Sequence, residues 1–230
     1  MICRKLIKKK PSDNNQNFPP QNESIHKESI FLKPLRVPFF GAAKVGKTSI
    51  IKAFVSQKFS EDYTPTIEDY YKKYFKCNGK LFQLDITDTG GLESFTAMRR
   101  LAIKNADIMV LVYSLRSPET FETLIPIKDE IVKIHGNSKP VIVIAGKSDL
   151  DVQGKNIEYV TSRGKKIDTK KVVEKEWKYL WIIASARMNW GIEMIFYNVL
   201  DEFLRRRAIF ELEAMTELKS VAEYLPNFPI

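Results

Sequence analysis

Between residues 35 and 207, short runs of apolar residues alternate with longer segments whose apolar positions recur every three or four residues. A short apolar run bounded by turn residues is typical of a strand that is buried on both faces, as in a parallel sheet. Five such runs predict five buried strands, at residues 35–41, 80–86, 106–115, 140–146 and 181–186.

A sixth strand is predicted from a different pattern. Residues 72–78 alternate between apolar and polar side chains and are followed by the turn pair Asn78-Gly79. This combination predicts an antiparallel hairpin with the next strand, at the edge of the sheet. Pro38 falls inside the first strand, where a missing N–H is costly, and we expect a bulge there.

Helix-length segments lie between the strands. We predict helices over residues 47–57, over residues 117–134 with a kink at Pro126, over residues 168–179 and over residues 191–207. The pair Ser117-Pro118 is typical of a helix start. Strands that alternate with helices in this way predict a doubly wound α/β sheet.

The two ends of the chain differ from this central region. Residues 1–33 are rich in Asn, Gln, Ser, Pro and Lys and predict a disordered arm. We therefore expect three parts: the arm at 1–33, one domain at 34–207 and an amphipathic helical extension at 208–230. The extension has apolar residues at helical spacing and an acidic opposite face, so we expect it to pack on the domain or on a partner.

One motif carries specific chemistry. Gly41, Gly46, Lys47 and Thr48 match G-x-x-x-x-G-K-[ST], between a predicted strand and a predicted helix. Backbone N–H groups of such a loop surround an anion, Lys47 reaches the β- and γ-phosphates, and the Thr48 hydroxyl binds Mg²⁺. The other predicted nucleotide-binding positions here are Ala42, Ala43, Lys44, Val45 and Ser49, and we expect the Ala43 methyl to crowd the γ-phosphate.

Charge and composition narrow the function classes. The 230 residues carry a net charge of +9, concentrated in residues 1–10, 163–178 and 205–207. Such blocks are either solvated surface or contacts for nucleic acid, anionic lipid or acidic proteins. Residues 163–178 do not have aromatic residues interleaved in an RNA-reading pattern, so we expect no nucleic-acid partner and interpret them as a solvated insertion and helix face. Two cysteines and no long apolar run favour a reducing, cytoplasmic location.

Four further stretches resemble the Ras family of small GTPases: YTPTIEDYY at 63–71, DTGGLESF at 88–95, AGKSDL at 145–150 and ASAR at 184–187. Stretches such as YTPTIEDYYKK, LFQLDITDTGG and AMRRLAI look most like the Dexras/Rhes and Di-Ras branches of that family. The resemblance covers roughly residues 34–207. It implies a P-loop NTPase fold, with a six-stranded, mostly parallel sheet and helices on both faces, and it implies GTP, GDP and Mg²⁺ as ligands.

The resemblance also implies roles for single residues around the phosphates. Thr66 and Asp88 would complete the Mg²⁺ site with Thr48, and the Gly91 N–H would bond the γ-phosphate, so that Lys47, Thr66 and Gly91 serve hydrolysis. Loss of that phosphate would release both loops. The implied effector segment consists of Tyr63, Thr64, Pro65, Thr66, Ile67, Glu68, Asp69, Tyr70 and Tyr71.

Recognition of the base is implied for two of the stretches. Asp149 would accept two hydrogen bonds from guanine, which discriminates against adenine because a wrong base leaves the carboxylate unpaired. Lys147 would stack on the ring, the Ala186 N–H would donate to the guanine oxygen and Ser185 would support the loop. The remaining implied contacts are Phe59, Leu150 and Arg187.

Two positions depart from the family pattern. Gly146 replaces an asparagine that would tie the base loop to the phosphate loop, which predicts weaker, faster-exchanging nucleotide. Leu92 replaces a glutamine that orients the attacking water, which predicts very slow hydrolysis. We therefore expect a signalling protein biased towards its GTP-bound state, with weak GTPase activity. The alternative is a pseudo-GTPase or scaffold that binds partners without cycling.

Location and assembly follow from the tails. The chain ends in NFPI, which predicts no C-terminal prenylation, and Ile2 excludes N-myristoylation. Cys3 lies among five basic residues and is either a free thiol or a palmitoylation site that brings the protein to the inner face of the plasma membrane. We expect a monomer.

Overall fold

The computed structural model describes residues 33–56, 66, 68–77, 79–90, 96–150 and 157–224, with side chains as far as residue 212 except residue 210. Within these residues the strands are β1 Leu35–Phe40, β2 Glu68–Cys77, β3 Lys80–Thr89, β4 Met109–Ser114, β5 Val141–Gly146, β6 Glu158–Val160, β7 Lys166–Asp168 and β8 Leu180–Ile183. The helices are α1 Lys47–Ser56, α2 Thr96–Asn105, α3 Leu124–His135, α4 Thr169–Lys171, which continues as a π-helix over Val172–Trp177, and α5 Ile192–Tyr224.

Six of the strands form the predicted sheet. Their order is β2-β3-β1-β4-β5-β8, and every pair is parallel except β2 with β3. Strands β6 and β7 form a separate antiparallel hairpin. The carboxyl ends of the parallel strands meet at one edge of the sheet, where α/β proteins bind their ligands.

Both faces of the sheet are covered by helices, as predicted. On one face, α1 and α5 pack together, with Phe54 stacked on Phe196. On the other face, Ile103 of α2 and Ile131 of α3 join Leu111 and Val143 in a second core. Because β1, β4 and β5 are buried on both faces, these strands have apolar residues at nearly every position.

The predicted edge hairpin is confirmed, and the predicted bulge at Pro38 is wrong. Cys77 pairs with Lys80 across the turn between β2 and β3. Strand β1 pairs with β3 in unbroken register past Pro38. The Arg36 carbonyl accepts from the Ile108 N–H, so the backbone polar groups of residues 36 and 38 point towards β4. Pairing between β1 and β4 starts only at Phe39. The missing proline N–H therefore falls just before the β4 ladder begins.

The predicted helix at 117–134 is divided in two, and its expected kink at Pro126 is wrong. A 3₁₀-helix over Pro118–Phe121 comes first, and α3 starts at Leu124. Pro126 therefore lies in the first turn of α3, where a backbone N–H has no partner within the helix.

The segment at 163–178 is less solvated than predicted. Thr169 and Val173 are fully buried, and Trp177 stacks on Phe121. Ser162 near the hairpin tip donates to the Glu122 carboxylate from both its N–H and its hydroxyl. The segment is therefore docked on the domain, and only its exposed lysines match the prediction.

The C-terminal segment continues α5 without a break, to Tyr224. Two of its apolar residues, Ile209 and Leu212, have exposed side chains, and the packing of the extension on the domain or on a partner stays a prediction. No helix in the described part of the chain is both long and apolar enough to cross a membrane.

Candidate functional site

The glycine-rich loop lies at the carboxyl edge of the sheet, between β1 and α1. Gly41 has φ +141°, and a side chain there would begin 2.0 Å from the Val112 carbonyl oxygen. Gly46 has φ +110°. Only glycine fits the first position, because backbone occupies the space and the conformation disfavours other residues. The loop thus has the strand–loop–helix context that its sequence predicts.

Two lysines hold left-handed backbone conformations, Lys44 within this loop and Lys147 next to it. Lys44 has φ +63° and Lys147 has φ +59°, a conformation that costs a non-glycine residue roughly 1–2 kcal/mol. The Lys147 ammonium donates to the Lys44 carbonyl. This bond ties the loop after β5 to the glycine-rich loop across 103 positions of sequence.

Lys47 is held underneath the loop. Its side chain is buried, and its ammonium donates to the carbonyls of Gly41 at 2.8 Å and Ala42 at 2.9 Å. Burial lowers the Lys47 pKa to about 8, and the nearby Asp88 charge opposes this shift. A buried ammonium in a loop whose backbone N–H groups can surround an anion is suited to an anionic ligand.

Three oxygen-bearing side chains converge next to Lys47. The Thr48 hydroxyl donates to Asp88 Oδ2 at 2.5 Å and lies 3.2 Å from the Thr66 hydroxyl. Asp88 Oδ1 is buried and has no hydrogen-bond partner among the described residues. Burial raises the Asp88 pKa, against the Thr48 hydrogen bond and the Lys47 charge. A buried carboxylate oxygen without a partner beside two hydroxyls fits Mg²⁺, which prefers hard oxygen ligands.

The predicted base-recognition segments come together at the ends of β5 and β8. The Ser185 hydroxyl donates to Asp149 Oδ1 at 2.6 Å and accepts from the Met188 N–H. The Ser148 N–H donates to the Ala184 carbonyl at 3.2 Å. These bonds fix the Asp149 carboxylate relative to the second segment, which also carries Ala186 and the exposed Arg187.

Position 146 is tightly enclosed. A side chain there would begin 3.3 Å from the Val45 carbonyl oxygen in the glycine-rich loop and 3.3 Å from the Tyr113 carbonyl oxygen at the end of β4. Gly146 therefore brings three backbones into close approach, where the family pattern has an asparagine.

The effector segment is described only in part. Glu68, Asp69, Tyr70 and Tyr71 start the edge strand β2, and Tyr70 is 73% exposed. Outside the described residues lie Phe59, Tyr63, Thr64, Pro65, Ile67, Gly91 and Leu92. Their assigned roles stay predictions.

Sequence reasoning missed Arg116 and Thr89. The charge of Arg116, together with the larger effect of burial, lowers the Lys147 pKa. Arg116 directly follows the predicted strand at 106–115, and its position at the sheet's carboxyl edge was the available signal. The Thr89 hydroxyl donates to the Phe39 carbonyl at 2.6 Å and fastens the end of β3 to β1. No sequence pattern marks this contact.

Comparison with known proteins identifies the fold. The family described as "Ras family" matches residues 36–205. GTP-binding protein Di-Ras1 of Homo sapiens is 34% identical over 182 residues, which cover 77% of this chain and 86% of that protein. GTP-binding protein Di-Ras2 of Mus musculus is 33% identical over 180 residues, with the same coverage. GTP-binding protein Rhes of Mus musculus is 37% identical over 123 residues, covering 50% of this chain and 46% of that protein.

These matches agree with the six-stranded sheet, and they include both branches that the sequence suggested. The chain belongs to the Ras family of small GTPases.

Proposed function

We propose that this protein is a guanine-nucleotide switch that stays mostly GTP-bound and signals by presenting residues 63–71 to effector proteins. Ras-family proteins bind guanine nucleotides and effectors and hydrolyse GTP. The observation that carries the proposal is the contact between Thr66 and Thr48, 3.2 Å apart beside Asp88. It links the effector segment to the phosphate-binding helix, so a ligand at these oxygens would govern the position of that segment.

The phosphates would be held by the loop and by Lys47. Residues 41–49 supply N–H groups, and the buried Lys47 ammonium supplies a charge that water screens weakly. Thr48, Thr66 and Asp88 would hold Mg²⁺, whose chemistry when bound is to neutralise charge on the phosphate oxygens. The Gly91 N–H would contact the γ-phosphate.

The base would lie between the two segments at the ends of β5 and β8. Asp149, whose carboxylate Ser185 fixes at 2.6 Å, would accept the hydrogen bonds of guanine. Lys147 and Phe59 would lie against the ring, and the Ala186 N–H would donate to the guanine oxygen. Leu150 and Arg187 would complete the rim of this pocket.

Slow hydrolysis follows from Leu92. A leucine side chain cannot hydrogen-bond a water molecule, so the water that attacks the γ-phosphate loses its orienting group. The Ala43 methyl would further crowd the transition state. Gly146 supplies no side-chain hydrogen bond to the phosphate loop, which would speed exchange. Slow hydrolysis combined with fast exchange, with GTP in cellular excess, favours the GTP-bound state.

A second candidate is a pseudo-GTPase or scaffold that binds partners without cycling. The missing side chain at Gly146 favours it, because two polar groups of the family pattern are then absent from one site. In either case we propose a cytoplasmic monomer without a nucleic-acid partner. Contact with the plasma membrane would run through Cys3 and the basic N-terminus.

Single-turnover hydrolysis tests the proposal. We expect wild-type protein loaded with GTP and Mg²⁺ to hydrolyse it very slowly and Leu92→Gln to hydrolyse it at least about tenfold faster, since orienting one water is worth more than about 1.4 kcal/mol. Leu92→Met, which cannot donate to or orient water as an amide does, is the matched control. Equal rates for the Gln and Met variants would show that Leu92 does not limit hydrolysis, and would favour the pseudo-GTPase.

A further inference from the structure

A chain of buried and partly buried hydrogen bonds joins β4 and β8 to residues 157–169. The Trp181 indole N–H donates to the Tyr113 hydroxyl at 3.1 Å, and the Tyr113 hydroxyl lies 2.8 Å from the Thr169 hydroxyl. The Thr169 hydroxyl donates to the Ile157 carbonyl at 3.0 Å. Tyr113 and Thr169 are both fully buried.

The donors of this chain have one consistent direction. The single hydroxyl hydrogen of Thr169 is used by Ile157, so Thr169 accepts the hydrogen of Tyr113, which in turn accepts from Trp181. Each link polarises the next, and in a buried site such a chain holds its members rigidly. Four separate segments, β8, β4, the start of α4 and the residue before β6, are thereby fixed to one another.

Tyr113 connects this chain to the first base-recognition segment. It pairs with Ala145 in the sheet, and its carbonyl lies 3.3 Å from where a side chain at Gly146 would begin. Directly after β4, the Leu115 N–H donates to the Gly146 carbonyl at 2.9 Å. The end of β4 therefore positions the residue from which Lys147 and Asp149 follow.

Trp181 connects the chain to the second segment. It lies in β8, which runs directly into Ala184 and Ser185, and the Ala184 N–H donates to the Ala145 carbonyl at 3.0 Å. The Tyr113 hydroxyl thus binds β8 through Trp181, while the Tyr113 backbone pairs with β5 at Ala145.

Aromatic rings provide a second connection between Tyr113 and residues 157–177. The Tyr113 ring packs edge-on against Phe121 at 5.2 Å, and Phe121 stacks on Trp177 at 5.0 Å. Residues 157–177 therefore contact Tyr113 directly through Thr169 and indirectly through the stack of Trp177 on Phe121.

We propose that Tyr113, Thr169 and Trp181 are positioning residues for the guanine-recognition segments. Their hydrogen-bond chain fixes the strands from which these segments start, whereas Gly146 has no side chain that could fix the first segment directly. This inference rests on the proposed guanine-nucleotide site. It assigns residues 157–177 a role in nucleotide retention and base selectivity.

The release rate of a fluorescent GDP analogue from full-length protein in Mg²⁺ tests this role. Tyr113→Phe keeps the ring and removes the hydroxyl, so we expect release about three- to tenfold faster, the effect of one or two buried hydrogen bonds. The affinity ratio of GDP over IDP should fall by about threefold. IDP lacks the amino group that a well-placed Asp149 would bind, so this ratio reports the position of the carboxylate.

Two further substitutions separate positioning from stability. Thr169→Val should release GDP faster, as Tyr113→Phe does, whereas Thr169→Ser retains the hydroxyl and should release it at the wild-type rate. Leu35→Ala removes a buried side chain at the start of β1, at the end of the strand away from the glycine-rich loop. It should lower the melting temperature without changing the GDP/IDP ratio. If Tyr113→Phe does not fold, Trp181→Phe removes the indole donor alone.

The outcomes are distinguishable. If wild-type protein retains GDP and Tyr113→Phe matches its release rate and its GDP/IDP ratio, the positioning role is overturned while the proposed function stands. A GDP/IDP ratio that falls equally in Leu35→Ala also overturns it, since the effect would then be loss of stability. If wild-type protein binds no guanine nucleotide, the proposed function fails and the inference fails with it.

Discussion

Lys47 and Asp88 form a buried pair of opposite charges whose environments act on them in opposite directions. Burial lowers the Lys47 pKa to about 8 and raises the Asp88 pKa, while each charge partly offsets the shift of the other. Two such groups near one another in a site are typical of a place where an anion and a cation bind, because each ligand restores the solvation that burial removed.

The Lys47 pKa predicts how nucleotide affinity depends on pH. Bound phosphate requires the ammonium, so binding to the free protein takes up a proton once the pH exceeds about 8. GDP affinity should therefore be nearly constant below pH 7 and fall about tenfold between pH 7 and pH 9. Equilibrium titration of GDP in Mg²⁺ across this range measures the slope.

Lys47→Arg is the control for this titration, because a guanidinium keeps its charge throughout the range. The slope that remains in the variant belongs to the nucleotide and to other groups. An equal slope in both proteins would contradict the assignment of the pH dependence to Lys47.

At the scale of elements, the ends of β4 and β5 and the glycine-rich loop meet at Gly146. A Cβ there would begin 3.3 Å from the carbonyl oxygens of Val45 and Tyr113, tighter than an ordinary contact but relieved by a shift of a few tenths of an ångström. The effect of a side chain at 146 therefore depends on whether these two backbones can shift and on the hydrogen bonds that the side chain brings.

Gly146→Asn and Gly146→Ala separate these contributions. The asparagine amide can donate to the Val45 carbonyl, so Gly146→Asn should slow GDP release about five- to tenfold. Gly146→Ala adds the same close contact without a donor and should not slow release. Equal release rates in the two variants would contradict the interpretation that Gly146 lacks a side-chain hydrogen bond between the base loop and the phosphate loop.

The sequence predicted these elements unevenly. Strands β1, β4 and β5 were predicted because burial on both faces makes nearly every residue apolar. Helix α2 was missed, because Ile103 is its only fully buried residue and its charged side chains obscure any periodicity. The hairpin of β6 and β7 was missed because each strand has three residues and only Tyr159 and Ile167 face the core.

At the scale of the whole molecule, the candidate site joins segments that are distant in sequence. The glycine-rich loop could be predicted because its chemistry lies in eight consecutive residues. The contacts of Thr48 with Thr66 and Asp88 span 18 and 40 positions, and only the family resemblance suggested them. The Tyr113–Thr169 bond spans 56 positions and is marked by no motif, so the fold alone reveals it.

Gly146 and Leu92 depart from the family pattern, and their effect on the bound nucleotide depends on the rest of the site. Each removes one polar side chain, while Lys47, the Thr48–Thr66–Asp88 oxygens and the Asp149–Ser185 contact are all in place. A site with these groups should bind guanine nucleotide, and slow hydrolysis should leave the γ-phosphate on it.

The nucleotide that copurifies with the full chain tests this account most directly. Protein purified rapidly in Mg²⁺ is denatured, and the released nucleotide is identified by chromatography against GTP, GDP, ATP and ADP standards. We predict guanine nucleotide alone, with GTP in excess over GDP. Adenine nucleotide, or no nucleotide together with no GDP binding at high micromolar concentration, would contradict the guanine site. GDP in clear excess would contradict the bias towards the GTP-bound state.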